Sequence, residues 1–389
     1  MSINDLKDWP EVTMVESADD LSSALKHWEQ AKVIGVDTEA NSFFAYYERL
    51  CLIQVSTDRR DWIVDPISLG DDLLLMKPIL EDPNVVKVFH AAEYDLMLLK
   101  KDLGVEVRGL FDTQVAMTFL RHEKTGLAAL IESYYGFKPS KDEQRSNWGR
   151  RPLTKSQIDY ARVDTHFLVE LYFKLKLELD DAKMTPAAYG EFDRQMVEIL
   201  EPATPNPDRY KKLKGANRFD GAQLANLKAL FEWRESVAQS KDVPTFKVFS
   251  NAGLVEVAKK PPSTIKSLAE IKGVGWKIAK RYGTSIFHAL NSAVGEEIET
   301  AVKKVDPEER RLRKIRRENL DKLKSWRQSQ AQELSLPSER LLHRRHLELI
   351  AKSLPESSEE LLNLVPLNDW QREQFEGSLL NLLESLPRY

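Results

Sequence analysis

An internal repeat constrains this 389-residue chain more than any other feature of its sequence. Sliding the sequence against itself by 93 positions sets Trp233 and Arg234 on Trp326 and Arg327, Ala238 on Ala331, and Val243 and Pro244 on Leu336 and Pro337. The same shift sets Leu254 on Leu347, Ala258 on Ala351, Pro262 on Pro355 and Leu268 on Leu361, with no gap needed. A repeat of this length is domain-sized, and two copies of one fold bury the same positions in each. Strand signals fade here, so the pattern predicts two tandem all-α domains, 212–296 and 307–388. Trp233 and Trp326, in register on helices, read as core. Between the copies, VKKVDPEERRLRKIRREN (302–319) reads as a charged helix or linker whose basic cluster could touch nucleic acid or simply face solvent.

The first 200 residues follow another rule. The runs KVIGVDT, RLCLIQVS, RDWIVDP and VVKVFH are β-branched and bounded by turn residues, as strands are. DDLLLMKPIL, EYDLMLLKKDLG and TKSQIDYARVDTHFLVELYFKLKLEL carry apolar residues at helical spacing. The expectation is an α/β domain over 1–205, ended by EPATPNPD (201–208), whose three prolines cannot continue a helix. No G-x-G-x-x-G follows the first of these strands, which counts against a dinucleotide-binding alternative. Charge divides along the same line. Residues 1–200 hold 24 Lys/Arg and 35 Asp/Glu, whereas residues 201–389 hold 33 and 26. An acidic part joined to a basic part suits a polyanion-handling enzyme, and solvated surface charge would look the same. No apolar run reaches the roughly 20 residues of a membrane span, and the start MSINDLKDWPEV lacks the marks of a secretion signal. A cytoplasmic protein is expected, acting as a monomer without a membrane. Cys51 is the only cysteine, so any metal would be held by oxygen or imidazole ligands.

In VIGVDTEANSF (33–43), Asp37 and Glu39 are two apart on a strand and point to one face, while Thr38 points away and is not expected to join them. Two such carboxylates repel unless a cation lies between them, and a hard divalent ion is bound by carboxylate oxygens. Alone, the pair could be an exposed strand end. Further acids stand in matching contexts. Asp95 follows the strand VVKVFH in the first turn of a helix. Tyr160 and Asp164 are four apart, on one face of another helix.

The set D-T-E, the Asp after F-H-A-A-E-Y, and Y-A-R-V-D resembles the three exonuclease motifs of the DEDD superfamily, in its tyrosine subclass. RLCLIQVS, FDTQVA and EQRSNWGRRPLTKSQIDYA narrow the resemblance to the ribonuclease D family, and the repeats resemble HRDC domains. The resemblance implies a ribonuclease H-like α/β fold, a mixed sheet flanked by helices, followed by two all-α HRDC-like domains. It implies that Asp37, Glu39, Asp95 and Asp164 hold two divalent cations, Mg²⁺ or Mn²⁺, with Glu39 also bonding the terminal 3′-hydroxyl and Tyr160 orienting the attacking water. The activity implied is 3′→5′ exoribonuclease action on RNA, releasing nucleoside 5′-monophosphates, with tRNA precursors and other structured RNAs as substrates. A DNA-directed repair exonuclease is the alternative enzyme, and a non-catalytic RNA-binding scaffold the alternative of another class; the latter predicts a missing acid, and none is missing. The loop ANSFFAYYERL lacks a proline that many relatives carry, which leaves the rim of the site open in shape.

Other residues have weaker claims. Trp148, Arg150 and Arg151 (with Arg145) precede the third motif and could stack a base and contact phosphates, although Trp148 could equally be core. Lys277 lies in EIKGVGWKIAKRYG, which has the G-V-G turn of a helix-hairpin-helix-like phosphate site; the second copy lacks both glycines. His90 is expected to be a hydrogen-bonded structural residue, and Asp112 in FDTQ a helix N-cap.

Overall fold

The computed structural model describes residues 9, 12–201, 206–299 and 306–388. Part of the proline-rich segment (202–205) and the start of the charged segment between the repeats (302–305) lie outside the described residues. The chain forms two compact units, one of residues 1–39, 50–201 and 305–389, the other of residues 40–49 and 202–304.

The first unit is built on a six-stranded sheet in the order β1-β4-β3-β2-β5-β6. The strands are β1 (Thr13–Val15), β2 (Val33–Ala40), β3 (Leu50–Ser56), β4 (Asp61–Val64), β5 (Val86–Phe89) and β6 (Leu110–Asp112). β4 is antiparallel to β3 but parallel to β1, and β5 runs parallel to both β2 and β6, so the sheet is mixed. The four expected strands are present. β1 and β6, three residues each, escape notice because so short a run carries no periodicity. All of β3 and β4 is buried, which is why they read as continuous apolar runs instead of alternating ones.

Helices α1 (Ala18–Trp28), α2 (Glu93–Leu103), α3 (Thr113–Phe119), α4 (Lys155–His166), α5 (Leu168–Asp181) and α6 (Thr185–Val197) flank the sheet. The single long helix expected over 154–179 is two, α4 and α5, divided at Phe167. Their junction passes over β2 at Gly35, where an added Cβ would lie 2.9 Å from the Thr165 carbonyl oxygen and 3.0 Å from Leu168 Cβ. The odd-numbered positions of β2 therefore face α4 and α5.

The second repeat completes this unit. It comprises α11 (Pro307–Leu334), α12 (Arg344–Ser353), α13 (Ser358–Leu364) and α14 (Gly377–Glu384), numbered to follow four helices of the other unit. Its core residues Leu323, Leu347, Ile350 and Phe375 belong to the same apolar cluster as the sheet residues Val36, Val88 and Phe111. Polar bonds close the seam. Glu191 on α6 accepts from Arg340 at 2.8 Å and lies 3.3 Å from His343, Glu198 pairs with His346 at 2.9 Å and with Arg345, and the Phe119 ring meets Trp370 edge-on.

The second unit holds the first repeat: α7 (Gly221–Ser240), α8 (Asn251–Lys259), α9 (Ile265–Glu270) and α10 (Gly275–Ser292). The repeat extends to single bonds. Arg234 Nη1 donates to the Phe249 carbonyl and Arg327 Nη1 to the Leu342 carbonyl, donors and acceptors each 93 apart. Trp233 packs edge-on against Tyr282 as Trp326 does against Phe375. The loop 40–49 belongs to this unit. Asp242 accepts from the backbone N–H of Tyr46 and of Tyr47, each at 3.0 Å, and pairs with Arg49 at 3.0 Å. Among the described residues no helix is long and apolar enough to cross a membrane.

Candidate metal centre

The site is assembled where β2 ends. Asp37 and Glu39 occupy odd positions of β2 and so point toward α4, whose residues Tyr160 and Asp164 lie one turn apart. Helix α4 is fixed from its other side. Arg162 Nε donates to Asp61 on β4 at 2.6 Å, His166 Nδ1 lies 2.9 Å from the same carboxylate, and the Thr165 and Ser56 hydroxyls are 2.7 Å apart. A capping box at Thr154 and Gln157 starts the helix. With Arg162 and Thr165 committed to the sheet, Tyr160 and Asp164 present their shared face to the acids of β2.

Asp37, Glu39 and Asp164 each offer a ligand atom, and these atoms lie within 4.8 Å of one another. The three residues are half-buried, yet the protein around their carboxyls is dense. Burial pushes Asp37 well above the ordinary carboxylate range, and the charge of Asp164 adds to it. Glu39 is raised by burial, then by Asp37, Asp164 and Asp95, and Asp164 is raised to about 7 by burial and Asp95. The charges acting on each are other carboxylates, a balance that a bound cation would reverse. Three hard oxygen donors of this kind fit a hard divalent ion.

Asp95, in the first turn of α2, is buried beside this group but stands outside the three that converge. Its Oδ1 accepts a hydrogen bond from the Thr38 hydroxyl. Thr38, not expected to join Asp37 and Glu39, meets Asp95 instead. Alternation along β2 turns the Thr38 side chain away from Asp37 and Glu39, and Asp95 of α2 meets it at the end of the strand. Burial and then the charge of Asp37 raise Asp95 well above its ordinary range.

The Tyr160 hydroxyl is hydrogen-bonded to Asp164 and is pushed up by burial and by the charges of Asp164, Glu39 and Asp37. It therefore remains a protonated donor. A cleft of about 370 Å³ opens beside it, lined by Phe137, Ser140, Lys155, Asp159, Tyr160 and Asp164 among others.

Two expected substrate contacts are corrected. Trp148 is 1 % exposed and packs with Cys51, Leu52, Ile63 and Ala161, so its ring is core and offers no face to a base. Arg151 grips Asp65 with two bonds, Nε at 2.6 Å and Nη2 at 2.7 Å, and donates to the Cys51 and Trp148 carbonyls. Its guanidinium is occupied by a buried acid 86 positions away, a partner no local pattern could reveal. Arg150 and Lys277 are exposed, Lys277 in the first turn of α10 after Gly273 and Gly275, both at positive φ. His90 lies 2.9 Å from the Thr113 hydroxyl, and Asp112 caps α3 by accepting from the Gln114 and Val115 amides.

Comparison with known proteins agrees with this arrangement. The 3′-5′ exonuclease family model matches residues 12–180, and the HRDC domain model matches twice, at 223–290 and 316–383. The Exosome complex component 10 homolog of Drosophila melanogaster is 30% identical over 266 residues, 66% of this chain but 29% of that protein. The chain thus spans less than a third of that relative's length. Ribonuclease D of Pseudomonas paraeruginosa is 30% identical over 382 residues, covering 97% of this chain and 98% of that protein. The crystal structure of Escherichia coli RNase D, described as an exoribonuclease involved in structured RNA processing, superposes with a TM-score of 0.67 at 25% identity, covering 97% of this chain and all of that one. With a full-length relative at this identity, the same domain succession and the converging acids, the chain belongs to the ribonuclease D family.

Proposed function

We propose that this chain is a metal-dependent 3′→5′ exoribonuclease that releases nucleoside 5′-monophosphates and trims the 3′ ends of tRNA precursors and other structured RNAs. The observation that carries the reading is the convergence of Asp37, Glu39 and Asp164, each pushed up by burial and by its acidic neighbours. In this reading the three, with Asp95 beside them, hold two divalent cations, Mg²⁺ or Mn²⁺. When bound, such ions lower the barrier to in-line displacement at phosphorus by activating water and stabilising the leaving oxygen. The protein's own groups do the rest. Tyr160, kept protonated, donates its one proton to Asp164, which fixes the direction of the hydroxyl, and its oxygen accepts from the attacking water and orients it. Glu39 bonds the terminal 3′-hydroxyl. Arg150 and Lys277, both exposed, contact RNA phosphates. The reading includes a chain parsed as a nuclease domain over 1–205 and HRDC domains over 212–296 and 307–388, working as a monomer in the cytoplasm.

The test is to incubate the chain with a 3′-extended tRNA and a matched single-stranded DNA in Mg²⁺, Mn²⁺ or EDTA. Mononucleotides released from RNA in metal but not in EDTA are expected. Release from DNA alone would point to the repair alternative, and no release from either would leave only a binding role.

A further inference from the structure

Asp112 does more than cap a helix. Its carboxylate is fully buried, and beyond the two amides of α3 it accepts from the Ala91 amide through Oδ1 and from the Ala92 amide through Oδ2, each at 3.0 Å. Gln195 on α6 donates to the same Oδ2 at 3.0 Å. The neighbouring Thr113 hydroxyl donates to the Phe89 carbonyl at 3.0 Å and meets the His90 ring at 2.9 Å. Two consecutive residues thus hold four consecutive ones, 89–92, across the parallel pairing of Phe89 with Asp112. The held segment needs holding. Ala91 has φ +64°, the left-handed region that an alanine enters only when its surroundings impose it. Ala92 is the N-cap of α2 and has no side-chain oxygen to cap it, and Asp95 stands three residues further on.

We infer that Asp112, seconded by Thr113, is a positioning residue for the metal centre: it fixes the turn that aims the Asp95 carboxylate at the acids of β2. The inference rests on the reading of Asp95 as part of that centre. A residue that orients a ligand without touching the metal typically changes metal affinity by about 10–100-fold when altered. In Asp112→Asn, the amide oxygen keeps the Ala91 bond while the amide nitrogen meets two donors, the Ala92 amide and Gln195. In Thr113→Val, shape is retained and both hydroxyl contacts vanish.

The experiment titrates Mn²⁺ into the full-length chain by calorimetry without RNA, then measures kcat and KM on an RNA oligonucleotide. Asp65→Asn serves as the control. Asp65 is also a fully buried N-cap carboxylate, but it is bound to Ile67, Ser68 and Arg151 instead of the turn. Both Asp112→Asn and Thr113→Val should weaken Mn²⁺ binding by about tenfold or more and lower kcat with KM nearly unchanged. Asp65→Asn should lose melting temperature with Mn²⁺ affinity intact. If Asp112→Asn fails to fold, Thr113→Val decides. Variants that bind Mn²⁺ like the wild type, or a control that loses affinity equally, would overturn the inference while leaving the nuclease reading standing. A wild-type chain that binds no Mn²⁺ would overturn the inference, and one that also releases no mononucleotide in Mg²⁺ or Mn²⁺ would remove the nuclease reading with it.

Discussion

Gly35 is as much a part of the site as the acids it precedes. A methyl group there would meet the Thr165 carbonyl oxygen at 2.9 Å, a backbone atom that cannot step aside alone. Gly35→Ala should push the α4–α5 junction off the sheet and carry Tyr160 and Asp164 away from Asp37. A displacement of about 1 Å can cost 10²-fold in rate, so turnover should fall at least that far, with stability also reduced. The acids themselves make a two-sided prediction. In EDTA, Asp164→Asn removes one of several crowded carboxylates and should raise the melting temperature. With saturating Mn²⁺ the order should reverse, because the wild type gains binding free energy that the variant lacks. Turnover of Asp37→Asn and Asp164→Asn should drop by orders of magnitude while the fold survives. An Asp164→Asn chain less stable than the wild type in EDTA would mean that the site carries no electrostatic strain.

At the scale of elements, α4 is placed by a buried ion pair. Arg162 and Asp61 are each almost wholly buried, and removing one partner of such a pair typically costs about 3–5 kcal/mol. Arg162→Ala should therefore lower stability by roughly that amount and lower activity with it, which denaturant unfolding and a turnover assay would show together. Much of this level was legible in the sequence. The period of two on β2 and the spacing of four on α4 are local, and they correctly pair Asp37 with Glu39 and Tyr160 with Asp164. What local pattern cannot carry is the identity of a distant neighbour. It says that Thr38 points away from Asp37, but not that Asp95 of α2 meets it at the end of the strand. It shows arginines before the third motif, but not that Asp65 claims Arg151. The same limit hid the turn at 89–92, because Asp112 looks like any N-cap until β6, too short to be seen, sets it beside β5.

For the molecule as a whole, the repeat does not mean that the two copies share one setting. The second copy shares its apolar cluster with the sheet and is tied to α6 by Glu191 and Glu198. Burial alone would raise Glu191, but hydrogen bonds from His343 and Arg194 hold it down at about 2, against an ordinary 4.5. Its contribution to stability, on the order of 3 kcal/mol, is whole above pH 4.5 and is lost as pH falls toward 2. His346 is held down at about 4, against 6.5, by burial and by the charges of Arg345, His343 and Arg194. Its contribution is whole above pH 6.5 and is lost as pH falls toward 4. The melting temperature should thus begin to fall below about pH 6.5, and His346→Gln should flatten the profile between pH 6.5 and 4. Removing residues 306–388 should destabilise the sheet unit itself, seen as a lower melting temperature or aggregation. Hydrolysis at the acids of β2 and α4 is read most directly as mononucleotide release from 3′-extended tRNA by wild type and Asp164→Asn in Mn²⁺ and in EDTA. Nucleoside 5′-monophosphates are expected from the wild type in Mn²⁺ but not in EDTA, and almost none from the variant; equal release from the two chains, or release that survives EDTA, would mean that these acids and a metal do not carry the reaction.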